Sequence, residues 1–194
     1  SIHLKTITPA DEKLINKDLE NEMNLVLDLV QLGLNLREQQ KLRLRWTLPV
    51  MYIYIKDKTK KVSGLKETLC QMLNVDDVEL LDKAKTKLPF VEAEFAEISV
   101  DKEFSKDVQD NWFVQELRRA IQDERKVQKF TPQDIKNLNI FVEDKSALLL
   151  KPKVKELEKE TNTKINLLSC KRIVSDVNPK KEPQDILGHK VWIE

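Results

Sequence analysis

The sequence predicts an α+β fold: a long amino-terminal helix followed by two related helix–strand–helix–strand units with small mixed sheets. Three observations carry this. Apolar residues recur at helical spacing in two long segments. Short runs rich in β-branched and aromatic residues separate them. The order of elements repeats at a fixed offset: "YIYIKDK" (52–58) lies over "NIFVEDK" (139–145), and "NVDDVELL" (74–81) over "TNTKINLL" (161–168), each 87 residues on. The helix ahead of each first strand carries "LREQQK" or "ERKVQK", one residue out of that register.

The first helix is expected over 11–40, with Met23, Val26, Leu27, Val30 and Leu34 on one side. Thr8 or Asp11 would cap it, and Pro9 suits its first turn. Residues 50–56 form a strand. Ser63 then caps a helix with Leu65, Leu69, Met72 and Leu73 on its apolar side, and 77–81 form a strand. A charged stretch follows, then strand or irregular chain over 91–100. The second long helix runs from about 107 to 128 with Trp112, Val114, Leu117, Ala120 and Ile121 apolar. Next come a strand at 139–143, a helix around 151–161 and a strand at 164–169. Prolines mark a loop over 176–188, and "HKVWIE" closes the chain as a strand.

Composition excludes several classes. Hydrophobic residues make up 40% and charged residues 35%, enough for a core. With only 3 Gly there is no Gly-rich phosphate loop. The net charge of +1 is not that of a freely acting polyanion binder, so any such site must come from local clustering. Cys70 and Cys170 form no CxxC pair, which removes cysteine-paired zinc and fits a reducing compartment. No apolar run approaches the length of a membrane span, and no signal peptide is visible. The chain starts at Ser1 without Met and reads as a processed or excised piece.

Catalysis needs a nucleophile oriented against a base. His3 and His189 stand at opposite ends and read as structural or surface residues. Cys70 and Cys170 lie in apolar surroundings, where free Cys packs as core. No metal-ligand spacing occurs. Two basic groups remain: Arg37, Lys41, Arg43, Arg45 with Trp46, and Arg118, Arg119, Arg125, Lys126, Lys129. Both sit where a long helix passes into a strand. The alternation of Lys41, Arg43 and Arg45 with Leu42 and Leu44 predicts a strand with one basic face. Arginine forks suit phosphate, and Trp46 could stack on an unpaired base. The alternative is that Arg37 and Arg125 make helix-end contacts or ion pairs and Trp46 is core.

"SIHL" and then "DEKLINKDLENEMNLVLDLVQLGLNLREQQKLRLRWTLPV" resemble the carboxyl-terminal part of isoleucyl-tRNA synthetase. Arg37, Glu38, Leu42, Arg43, Leu44, Arg45 and Trp46 carry the first match. "VQELRRAIQDERKVQKF" carries the second, through Glu116, Leu117, Arg118, Arg119, Ile121, Gln122, Arg125 and Lys126. Weaker likenesses in "NVDDVELL" and "KELEKETNTKI" extend the resemblance over nearly the whole chain, in the form of the archaeal and eukaryotic cytosolic type. Leu34, Asn35, Trp112 and Phe130 depart from the family pattern. The resemblance implies a class I enzyme that uses ATP and magnesium, but "HIGH" and "KMSKS" are absent here, so no catalytic site and no cofactor are expected within these residues. It implies a cytoplasmic appendage. Residues 1–48 would end the anticodon-binding helical bundle, 49–104 would be the first repeat unit and 105–194 the second. The implied partners are tRNA(Ile), gripped at the anticodon stem-loop, and the remainder of the synthetase chain, with no membrane. A structural or protein-docking module is the competing reading.

Overall fold

The computed structural model describes residues 15–57, 59, 62, 64–84, 87–131, 133–169 and 182–194. Thr8, Pro9, Asp11, His3, Ser63 and Cys170 lie outside them. The chain divides into two compact units, with the boundary between Lys102 and Glu103.

The first unit opens with α1 (Lys17–Gln39), whose N-cap is Asn16: its side chain accepts a hydrogen bond from the Leu19 amide. The helix therefore starts six residues later than its apolar spacing alone suggests, just after the Asn16 side chain that satisfies one of its orphan amides. Leu25, Val26, Leu29, Val30, Leu32 and Leu36 are buried, whereas Leu27 points outward. β1 (Leu48–Ile55), α2 (Lys66–Leu73), β2 (Val75–Leu81), β3 (Phe90–Glu92) and β4 (Ala96–Val100) complete the unit. The sheet order is β2-β1-β4-β3, with β1 parallel to β2 and antiparallel to β4. The parallel pair requires a crossover, which α2 supplies. α1 packs on α2, β3 and β4, so this helix is a layer of the first unit and not a separate segment ending at residue 48.

Gly33 makes the α1–α2 approach possible. A Cβ there would lie 2.6 Å from Leu73 Cδ2 and 3.3 Å from Met51 Sδ, and both neighbours are fully buried. Gly33→Val is expected to destabilise the first unit by about 1–3 kcal/mol through overpacking, read as a lower urea midpoint. An unchanged midpoint would mean that the helices separate at no cost.

The second unit repeats the plan: α3 (Lys106–Val127), β5 (Lys136–Val142), α4 (Asp144–Leu150), a 3-10 turn, α5 (Val154–Thr161), β6 (Thr163–Ser169), β7 (Gln184–Ile186) and β8 (His189–Ile193). Its sheet order, β6-β5-β8-β7, matches the first with the same parallel and antiparallel pairs. Phe113, Leu117 and Ile121 of α3 bury against Leu138, Ile140 and Val142 of β5, Leu157 of α5, and Val191 and Ile193 of β8. Each such side chain contributes roughly 1.5–3 kcal/mol. Two elements have no counterpart in the order expected from sequence. α4 is short and lacks a side-chain cap, and β7 is a three-residue strand inside the expected loop.

The duplication is thus present in the topology, with two offsets. Lys41 and Lys129, Asn74 and Asn162, and the strand starts Leu48/Lys136 and Val75/Thr163 are each 88 residues apart. The offset of 87 holds inside the strands, where buried Met51 and Ile53 answer to buried Leu138 and Ile140. The difference is absorbed in the first unit. Leu48 and Met51 are both buried although three apart, and so are Val75 and Val78, their partners across the ladder. Both strands change phase at the same level, so their mutual register survives.

Candidate nucleic-acid interface

The segment 41–45 is not a strand. α1 ends at Gln39, and Lys41 takes the left-handed conformation (φ 56°). The Leu42 amide donates to the Arg37 carbonyl at 2.8 Å and the Lys41 amide to that of Glu38 at 3.0 Å. These two bonds close the helix in a Schellman turn. α3 ends identically: Lys129 has φ 58°, Phe130 donates to Arg125 O at 3.0 Å, and Lys129 to Lys126 O at 2.9 Å. The basic–apolar alternation is therefore a coincidence of a turn. The even, extended row of cations that a strand would present is absent.

Arg37 and Arg125 hold these exits in place. Arg37 Nη1 donates to the carbonyls of Arg43 (3.1 Å) and Trp46 (3.0 Å), and Nη2 to that of Asn74 (2.8 Å). Arg125 does the same one repeat later, to Asn162 (2.8 Å), Thr131 (2.7 Å) and Asp134 (2.9 Å). Asn74 and Asn162 are the left-handed C-caps of α2 and α5. Each guanidinium thus meets the negative end of a second helix while it clasps the turn that leaves the first. Their exposures are 2% and 5%, so neither guanidinium is a surface cation. Burial pushes the Arg37 guanidinium down to about 10, still well above neutral pH, and it keeps its charge. The expected RNA contacts at these two positions are replaced by the helix-end role.

Trp46, at 9% exposure, belongs to the core, with the Arg43 guanidinium 5.5 Å from its ring centroid. A base has no open Trp46 ring to stack on. Arg45 is half-buried, while Lys41 and Arg43 are exposed. In the second unit, Arg118 pairs with Glu160 of α5 at 2.5 Å. Residues 118 and 125 do share a helix face, but that face is turned to α5. Arg119 and Lys126 are exposed and both reach Asp123, at 3.4 and 3.5 Å; Lys129 is exposed at the turn. The exposed cations at the two exits are therefore Lys41 and Arg43, and Arg119, Lys126 and Lys129.

Other contacts had weak sequence signals. The two Asn caps could have been found as Asn placed between a helix and a strand in both copies. Asp134 accepts from the Thr131 amide (2.7 Å) and hydroxyl (2.8 Å), and these bonds hold its carboxyl below the usual range. His189 stacks on Phe113, with centroids 4.0 Å apart, and its Nδ1 lies 2.8 Å from Ser146 Oγ. That is a nucleophile–base contact which distance in sequence hid. Ser146 is 1% exposed, however, so the pair ties β8 to α4 and is closed to substrate. Cys70 is a partly buried free thiol, raised by burial. Among the described residues no cluster of His, Cys, Asp or Glu could hold a metal, and no helix is long and apolar enough to cross a membrane.

Among the described residues, the second unit forms two notable concavities. One, of about 770 Å³, is an apolar groove beside α4 and β6 lined by Ala147, Leu148, Val154, Leu167 and Leu168, with Leu148 76% exposed. The other, of about 260 Å³, adjoins Arg125 and includes Gln122, Lys126 and Phe130.

No protein-family model matches the chain. Comparison with characterised proteins finds isoleucine–tRNA ligases. The chain is 29% identical over 92 residues (47% of the chain) to that of Methanopyrus kandleri and 32% over 82 residues (41%) to that of Saccharolobus solfataricus. The isoleucine–tRNA ligase of Bacteroides fragilis is 27% identical over 86 residues (43%). The matches thus reach less of the chain than the motifs suggest, and they do not single out one type of the enzyme. The chain spans about 8% of the length of these relatives.

Proposed function

We propose that the chain is a non-catalytic appendage of an isoleucine–tRNA ligase that helps to bind tRNA(Ile), with the anticodon stem-loop as its target. The relatedness to synthetase segments supports the setting. The observation that carries the RNA role is the pair of helix exits. Each places Lys at the left-handed position, where a residue with a side chain costs about 1–2 kcal/mol relative to right-handed backbone. Gly would relieve that strain. A lysine held there in both copies stands out from the surface as a point charge, next to Arg43 in one unit and Lys126 in the other. Arg119 extends the second group. Arg45 and Arg118 flank the groups, while Arg37, Trp46 and Arg125 build the scaffold beneath them. ATP, magnesium and the reaction itself belong to other parts of such an enzyme, and a cytoplasmic setting accompanies this reading.

The apolar groove beside α4 favours a second reading, docking onto the rest of the synthetase chain. Titration of labelled tRNA(Ile) separates the two. An RNA appendage binds it in low salt with affinity that falls as salt rises. A pure docking module does not bind it at all.

The chain alone is expected to catalyse no isoleucine-dependent exchange of pyrophosphate into ATP and no hydrolysis of valyl-tRNA. Measurable turnover of either by the purified chain would contradict the non-catalytic assignment.

A further inference from the structure

We infer that the second unit holds one unstacked nucleobase of single-stranded RNA in the cavity beside Phe130. This rests on the RNA reading above and specifies where a base, as opposed to the phosphates, is held. The cavity of about 260 Å³ is smaller than a drug-sized pocket and suits a fragment such as a base. Phe130, 38% exposed, lines it. Aromatic rings hold unstacked bases by stacking, whatever the base. Gln122 and Thr131 line the same wall; Gln122 Nε2 donates to the Glu160 carbonyl and the Thr131 hydroxyl to Asp134, so what they offer the edge of a base is their oxygens as acceptors. Lys126 lines the cavity too, and Lys136 Nζ covers one face of the Phe130 ring at 4.7 Å from its centroid, which leaves the other face for a base. Both cations suit the phosphates on either side of a stacked base. Glu160, the carboxylate in the lining, is neutralised by Arg118 at 2.5 Å and so does not repel them.

The first unit acts as an internal control. It builds the same three-carbonyl clasp, yet 88 residues earlier than Gln122, Phe130 and Glu160 it has Leu34, Leu42 and Met72. The clasp and its turn therefore need neither an aromatic ring nor these polar groups. The turn asks only for an apolar residue at this position, which Leu42 supplies in the first unit; Phe130 adds an exposed aromatic ring beside the cavity, which is what base stacking uses.

The test uses the 194-residue chain and a labelled single-stranded oligoribonucleotide. Phe130→Leu copies the first unit at this place, so the urea midpoint should be kept. The expected result is at least about fivefold weaker binding with an unchanged salt slope, restored by Phe130→Trp. On the unmodified chain, a 4-thiouridine oligonucleotide should cross-link to the peptide containing Phe130, a readout that does not depend on any variant folding. If the chain binds RNA with the expected salt dependence but Phe130→Leu binds equally and the cross-link falls elsewhere, the pocket is refuted and the phosphate reading stands. If the chain binds no RNA, both fall.

Discussion

Arg37→Met should destabilise the first unit by about 3–5 kcal/mol, seen as a separate early transition in urea. The substitution removes a buried charge and strands three carbonyls at once, that of Trp46 buried and those of Arg43 and Asn74 partly buried. Hydrogen bonds from a charged donor contribute roughly 1.5–3 kcal/mol each, and breaking a buried ionic arrangement from one side leaves the other unsatisfied. The Met side chain recovers only part of this by filling the space. Arg37→Lys should rescue little, because one ammonium cannot span carbonyls of Arg43, Trp46 and Asn74 that two guanidinium nitrogens now share. Arg125→Met should do the same to the second unit. If either unit keeps its midpoint after loss of its arginine, the clasp is not what holds the exit.

Replacing Lys41 and Lys129 together by Gly should separate binding from stability, with opposite signs. Glycine takes φ values near 56° and 58° without strain, while its greater freedom in the unfolded chain costs part of the gain. The net effect expected is a stabilisation of roughly 0.5–1 kcal/mol per site. The same change removes one exposed cation from each exit, so affinity for tRNA(Ile) should fall, by roughly tenfold at moderate salt. A more stable protein that binds RNA less well cannot be explained by damage to the fold. Unchanged affinity in the stabilised variant would remove these lysines from the interface.

Much of the fold is legible in the sequence because periodicity reports burial directly. α1, α3, β1, β5, β2 and β6 all announce themselves through spacing, and the order in which they recur reveals the duplication. The errors have physical causes. Lys41 to Arg45 alternate with leucines as a strand would, but Arg37, eleven residues before β1 begins at Leu48, folds the chain into a turn. Side-chain patterns do not show carbonyl acceptors, and one of the three lies 37 residues away at Asn74. The offset of 87 is correct for core-facing strand residues and one short at the exits, because the first unit takes up a residue in each of two paired strands. α4 and β7 leave no periodic signal because seven-residue and three-residue elements are too short for a period. Both basic clusters do lie at helix ends. Which members are scaffold and which are surface depended on burial, which distinguishes Arg37 from Lys41 although both are cations on one turn.

The most direct measurement is the slope of log affinity against log salt for tRNA(Ile), compared between the unmodified chain and a variant carrying Lys41→Gly, Arg43→Ala, Lys126→Ala and Lys129→Gly. If the exposed cations of both exits meet phosphates, the variant's slope should be shallower by about 3, close to one contact's worth per cation removed. Equal slopes from a folded variant would contradict the account.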